Sequence, residues 1–262
     1  TGYSTSTAPN TNNVLWSYTT GDWIISSPVV VDGKVYIGSN DRNVYCLDAS
    51  TGAFIWSYTT SGSVWPVAVA DGKVYVGLAS DSKVYCLDAY NGAFIWSYTT
   101  GGAIASSPAV ADGKVYIGTG DFKVYCLDAS TGAFIWSYTT GFLIWSSPAI
   151  ADGKLYIGSY DNKTYCLDAS TGAFIWSYTT GDWIVSSPAV VDGKVYVGSC
   201  DFKVYCLDAI TGAFIWSYTT GNEIYSSPAV ANGRVYVGSR DFKVYCLDAS
   251  TGAFIWSYTI GA

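Results

Sequence analysis

Six aspartates recur at one spacing: Asp48, Asp88, Asp128, Asp168, Asp208 and Asp248, each 40 residues from the next. Two residues before each stands a cysteine: Cys46, Cys86, Cys126, Cys166, Cys206 and Cys246. Carboxylates and thiols can do acid–base, nucleophilic or metal chemistry. The spacing speaks against all three. The carboxylates do not cluster beyond their repeat positions, and a Ca²⁺ site needs several oxygens on one ion. Asp41, Asp121, Asp161, Asp201 and Asp241 each offer a single carboxylate in a turn, which is expected to stabilise that turn. Equivalent cysteines of neighbouring repeats should lie beyond the ~7 Å Cα limit for a disulfide. There is no C-x-x-C pair, so the thiols, with the odd Cys200, read as small buried core groups. The chain has no His and one Glu, Glu223. It therefore lacks the usual general base near neutral pH and any His-based zinc or haem site. The expectation is a protein that is not an enzyme, with no cofactor and no metal.

The elements that carry these residues follow from the stretch Cys126-Leu127-Asp128-Ala129-Ser130-Thr131-Gly132-Ala133-Phe134-Ile135-Trp136. It recurs with its Trp at Trp56, Trp96, Trp136, Trp176, Trp216 and Trp256, every 40 residues. A fixed period near 40 marks a repeat architecture. Val124 to Leu127 are strand formers, Asp128 to Gly132 carry turn chemistry, and Phe134 to Tyr138 restart a β-rich run. In residues 101–140, Ile104 to Ala111 reads as a first strand with Pro108 near its middle. Asp112-Gly113 signals a tight hairpin. Lys114 to Thr119, Lys123 to Asp128 and Ala133 to Thr139 complete four antiparallel strands. The fold class is all-β, a six-bladed β-propeller of four-stranded blades, rather than a β-solenoid. The six Trp are structural, packed between adjacent units. The second unit has Val64-Trp65-Pro66 where others read Ile-x-Ser-Ser-Pro, so its first strand aligns ambiguously.

Composition excludes several function classes. The net charge is -7, and with no basic stripe a nucleic-acid partner is not expected. No apolar run reaches the ~18 residues that span a membrane as a helix. Charged residues are 13%, against roughly 25% in typical domains. The surface is thus rich in Ser, Thr, Tyr, Asn and Gly, which leans towards a secreted or prokaryotic cell-surface protein. Residues 1–13 read as a leader or linker, and residues 14–262 as one propeller domain.

The repeat resembles the PQQ-like β-propeller family. The motif Ala-x-Asp-x-x-Thr-Gly-x-x-x-Trp of quinoprotein propellers fits residues 126–136, with Cys in place of Ala. The flanking Ser-Ser-Pro-Ala-Val-x-Asp-Gly-x-Val-Tyr-x-Gly pattern fits as well. That family includes PQQ-dependent dehydrogenases and the outer-membrane assembly factor BamB. The resemblance implies that the motif Trp docks between blades and that the six motif aspartates bond within their turns. It does not carry the dehydrogenase activity. Those enzymes typically have eight blades, long insertions and a Ca²⁺ held by Glu and Asn, whereas this chain has regular units and one Glu.

Comparison among the repeats points to one face. Label the strands A to D from axis to rim. The A–B and C–D loops are nearly constant; the D–A and B–C loops, on the other face, vary. Candidate binding residues there are Trp23, Arg42, Trp65, Trp145, Tyr160, Trp183, Tyr225 and Arg240, amphipathic anchors of the kind found in interfaces. The leading expectation is a non-catalytic binding or structural scaffold that takes protein or glycan on this face. The rivals are a PQQ-dependent oxidoreductase, a lectin, and an engineered or amplified repeat with no selected ligand. One strand is surplus. Trp-Ser-Tyr-Thr occurs at Trp16 as well as after each repeat, so in a closed ring residues 14–20 and 254–260 compete for one place. An unpaired apolar strand invites pairing within the chain or self-association.

Overall fold

The computed structural model describes residues 13–261, so the expected leader lies, apart from Asn13, outside the described residues. Six four-stranded antiparallel sheets follow one another along the chain, each with sequential strand order. Blade 3 has strands A to D at Ala109–Ala111, Lys114–Gly118, Lys123–Asp128 and Phe134–Thr139. The pattern runs from Val29–Val31, Lys34–Gly38, Asn43–Asp48 and Phe54–Thr59 in blade 1 to Ala229–Ala231, Arg234–Ser239, Lys243–Asp248 and Phe254–Thr259 in blade 6. The A strands surround a central cavity of about 2180 Å³ lined mainly by Ser, Pro, Ala and Val. No helix among the described residues is long and apolar enough to cross a membrane.

The A–B hairpins turn as the Asp-Gly pairs require. Asp112 has φ 50° and Gly113 φ 69°, the left-handed values of a two-residue turn matched to strand twist. Strand A is shorter than expected, three residues rather than eight. A side chain supplants the ladder there. The Ser106 hydroxyl donates to the Gly118 carbonyl and accepts from the Gly118 N–H, both at 2.9 Å. Pro108 has no N–H to offer. Blade 2 confirms the cause. It lacks the serine pair, and its strand A runs Val64–Ala70, with a bulge between Val64 and Val67. Val64, fully buried against Gly38, takes the place that Ile104 holds in blade 3, which resolves the alignment.

Strands B and C supply the core, and each core cluster joins two successive blades. One joins Tyr116, Cys126 and Trp136 of blade 3 to Ile144, Leu155 and Leu167 of blade 4. The six repeat cysteines are fully buried, and all seven are free thiols. Strand D alternates, with Trp136 inward and Phe134 and Ile135 on the exposed rim.

The motif turn explains the recurrent aspartate. Asp128 Oδ1 accepts from the Ser130 and Thr131 N–H groups and from both hydroxyls, at 2.6–3.0 Å. These bonds, the hydroxyl bonds foremost, hold its pKa down at about 2. Gly132 then turns with φ 72°, and a Cβ there would lie 2.6 Å from the Trp96 ring of the preceding blade. Trp96 Nε1 donates to the Ala129 carbonyl at 3.2 Å. The docking tryptophan therefore reads the next blade's glycine turn directly.

The sixth junction, between blade 6 and blade 1, is not sealed. Residues 14–20 sit against blade 1, with Trp16 Nε1 donating to Ala49 O at 3.0 Å. They join no sheet ladder, while residues 254–259 keep their place in blade 6. The two copies expected to compete for one position occupy two.

Candidate binding face

Backbone hydrogen bonds establish the two faces. On one, each C–D turn bonds an A–B turn, as Ala129 N–H to Gly113 O at 2.9 Å. On the other, the B–C turn bonds the D–A loop before it in five of the six blades. Tyr160 N–H reaches Leu143 O at 3.0 Å, Cys200 N–H reaches Trp183 O at 2.9 Å, and Arg240 N–H reaches Glu223 O at 3.0 Å. The two variable loop sets thus interleave on a single surface.

A partly buried clamp holds that surface in place. Asp161 Oδ2 accepts from the Gly141 N–H at 2.7 Å and the Tyr165 hydroxyl at 2.5 Å. Asp161 Oδ1 accepts from Lys163 N–H at 3.1 Å. The same bonds recur at Asp41, Asp201 and Asp241. Burial alone would raise the Asp41 and Asp241 pKa values. The hydrogen bonds, led by Tyr45 and Tyr245, outweigh it and lower both. These carboxylates are spent on positioning loops.

The clamped loops present a run of aromatic rings. The Tyr160 and Trp183 rings stack face to face, centroids 5.0 Å apart and planes within 4°. Trp145 closes on the Tyr160 ring at 5.1 Å, tilted 56°. Trp145 and Trp183 remain 47% and 48% exposed, so each keeps much of its surface for a partner. The run continues into blade 6. Arg240 lies over the Tyr225 ring at 5.0 Å and pairs with Glu223 at 2.6 Å. Cys200, in the B–C turn of blade 5, is buried, its thiol pushed up to about 11 by burial and by Asp182 and Glu223. Tyr160 is pushed up to about 12 by burial, then by Cys200 and Tyr225.

Five of the eight candidate residues therefore converge: Trp145, Tyr160, Trp183, Tyr225 and Arg240. Trp23 is 77% exposed, and Trp65 is exposed on strand A of blade 2. Arg42 sits at a left-handed φ of 73° in the B–C turn of blade 1. Among the described residues none of these three has a stacked ring or an ion-pair partner. Sequence comparison missed Phe122 and Phe142, stacked at 5.2 Å, which extend the run into blade 3. The signal was present, since both are variable positions of the two loop sets.

The central cavity does not fit a quinone held by Ca²⁺. Its lining carboxylate is Asp192, in an A–B turn at the far end from the variable loops, and Glu223 is not part of it. Among the described residues no three His, Cys, Asp or Glu side chains cluster as metal ligands.

Comparison with known proteins agrees with this architecture. The crystal structure of BamB from Moraxella catarrhalis superposes with a TM-score of 0.82 at 24% identity, over 95% of this chain and 80% of that one. The computationally designed Ika8 protein superposes with a TM-score of 0.82 at 19% identity, over 89% of this chain and 73% of that one. Both likenesses concern the fold. No curated protein matches the chain. The family described as "Beta-alanine-activating enzyme, beta-propeller" matches residues 66–262. With the docking tryptophans, glycine turns and aspartate-centred turns in place, the chain belongs to that β-propeller family.

Proposed function

We propose that the protein is a non-catalytic scaffold that binds a protein or glycan on its D–A/B–C face. The observation that carries this reading is the Trp145–Tyr160–Trp183 cluster, continued by Tyr225, Arg240 and Glu223. Flat aromatic surfaces give contact area at low entropic cost and serve as interface anchors. The Arg–Glu pair at the rim supplies direction without a large burial penalty, since both ends are partly exposed. The low charge content supports a secreted or cell-surface setting. Catalysis forms no part of the proposal, because the carboxylates that recur are tied into turns and loop clamps.

The test is a binding screen of the intact chain against immobilised glycans and peptides, repeated with Trp145→Ser and Trp183→Ser. Both side chains are about half exposed, so the variants should keep the fold. The reading predicts binders whose affinity falls at least tenfold in either variant. Binders unaffected by both substitutions would move the site elsewhere. A PQQ- and Ca²⁺-dependent dye-reduction signal would overturn the non-catalytic reading.

A further inference from the structure

Five blade junctions are built alike, and the sixth is half built. At each of the five, a strand-B tyrosine and a strand-D tryptophan donate to one alanine carbonyl of the next blade. Tyr36 and Trp56 share Ala89 O at 3.0 and 3.2 Å, and Tyr196 and Trp216 share Ala249 O at the same distances. At three of them a fully buried D–A loop isoleucine of the next blade also packs on a strand-B glycine, as Ile224 on Gly198, and Val64 does the same on Gly38.

Blade 6, among the described residues, makes none of these contacts onward. Among the described residues Tyr236 and Trp256 have no hydrogen-bond partner for their polar tips, and Gly238 meets only Ser226 of its own blade. Trp256 is 38% exposed where Trp216, in the same local sequence, is 7% exposed. Across the seam, Ile24 of blade 1 is 43% exposed where Ile104, Ile144, Ile184 and Ile224 are fully buried. Pro28 is exposed where Pro108, Pro148, Pro188 and Pro228 are buried.

Yet blade 1 already holds a strand-D segment. Trp16 donates to Ala49 O at 3.0 Å and its ring lies over Gly52. Tyr18 meets Tyr45 at 5.7 Å, as Tyr58 meets Tyr85 at 6.2 Å. Gly21 N–H bonds Asp41 at 2.7 Å, as Gly141 N–H bonds Asp161. Residues 14–20 thus occupy the seat of a preceding blade's strand D, with no strand C beside them. Among the described residues Ala49 O accepts from tryptophan alone, where each equivalent carbonyl accepts from a tyrosine too.

From this we infer that the seam is a docking site for a further unit of this same repeat. Its strands A to C pack on the free face of blade 6, and residues 14–20 complete it as its strand D. The occupant follows from continuity with the five junctions: the face of blade 6 is chemically the face of blades 1 to 5. A whole second copy does not fit in the same manner. The six A strands already surround one cavity, so an arc docked on blade 6 would run its later blades into blade 1.

The test extends the intact chain past Ala262. The extension copies residues 223–253, which continues the repeat in register and supplies strands A to C. In the extended chain Trp256 emission should shift to the blue, and Trp256→Ala should lower Tm about as much as Trp216→Ala does. In the unextended chain Trp256→Ala should lower Tm by only about 2–4 °C, and Trp256 should be open to acrylamide, read as the difference from Trp256→Phe. If the extension leaves Trp256 exposed, the inference fails. A quencher-shielded Trp256 in an unextended monomer would overturn it too, since the chain would then cover its own seam. A doubled mass with Trp256 shielded would make a second copy the occupant and overturn it as well.

Discussion

Replacing Trp136 and Trp256 by alanine in parallel separates docking from mere repeat membership. Both occupy the same motif position, and their local sequences are identical. Trp136 is 7% exposed, packs at 6.0 Å from the Tyr116 ring, and donates to Ala169 O at 3.2 Å. Truncating a buried Trp costs about 3–5 kcal/mol. The lost hydrogen bond adds little, because Tyr116 still donates to Ala169 O at 3.0 Å and no buried carbonyl is orphaned. The expected loss is therefore about 3–4 kcal/mol, or roughly 10 °C in Tm for a chain of this size. Trp256 is 38% exposed, and its aromatic neighbour among the described residues is the Tyr236 ring, at 6.0 Å. Its truncation should cost about 1 kcal/mol. Urea unfolding followed by far-ultraviolet circular dichroism reads both without relying on indole emission. Equal losses would refute the reasoning, since they would mean that the seam is as tight as the internal junctions or that docking contributes little anywhere.

Glycine turns give a related contrast. Gly132→Ala meets both a left-handed φ of 72° and the Trp96 ring, whereas Gly113→Ala meets the φ of 69° with open space around it. The second should cost about 1–2 kcal/mol and the first about 1–3 kcal/mol more, read by the same unfolding curves. The motif aspartates predict acid sensitivity. Hydroxyl and backbone bonds depress Asp48 and Asp128 to about 2, below an unfolded value near 3.9. Their contribution is complete above pH ~4 and is lost as pH falls towards ~2. Tm measured from pH 7 to pH 2 should drop in that window, and by less in Asp128→Asn. Burial pushes the Cys126 thiol up to about 12. A thiol reagent at pH 8 should therefore leave the native repeat cysteines unmodified within minutes and label all seven after denaturation.

Much of this architecture was legible in the chain because its determinants are local. Asp-Gly pairs dictate hairpins, Asp-x-x-Thr-Gly dictates a knotted turn, and a Trp every 40 residues demands a recurrent seat. The assignment of loops to faces was legible for the same reason. The length of strand A was not, because alternating apolar residues suggest a ladder that the Ser106 hydroxyl pre-empts. Nor was the pairing within the binding face. Trp145, Tyr160 and Trp183 could be placed on one surface, but only the geometry between blades 4 and 5 shows Tyr160 stacked on Trp183.

The seam marks the limit of repeat logic. A repeat sequence specifies a junction twice over, once as a face that donates and once as a turn that accepts. Every internal copy therefore finds its complement in its neighbour. Whether the last face meets the first turn depends on a different quantity, the rotation accumulated from blade to blade, and no single repeat encodes that. Residues 14–20 sharpen the point. They are a good copy of strand D, so they take the seat on blade 1 that the end of blade 6 would otherwise claim. Among the described residues Trp256 is left without an acceptor, although its own local sequence matches that of the five docked tryptophans. Identical residues in identical local sequence end in different environments, and the difference resides in the count and curvature of the blades.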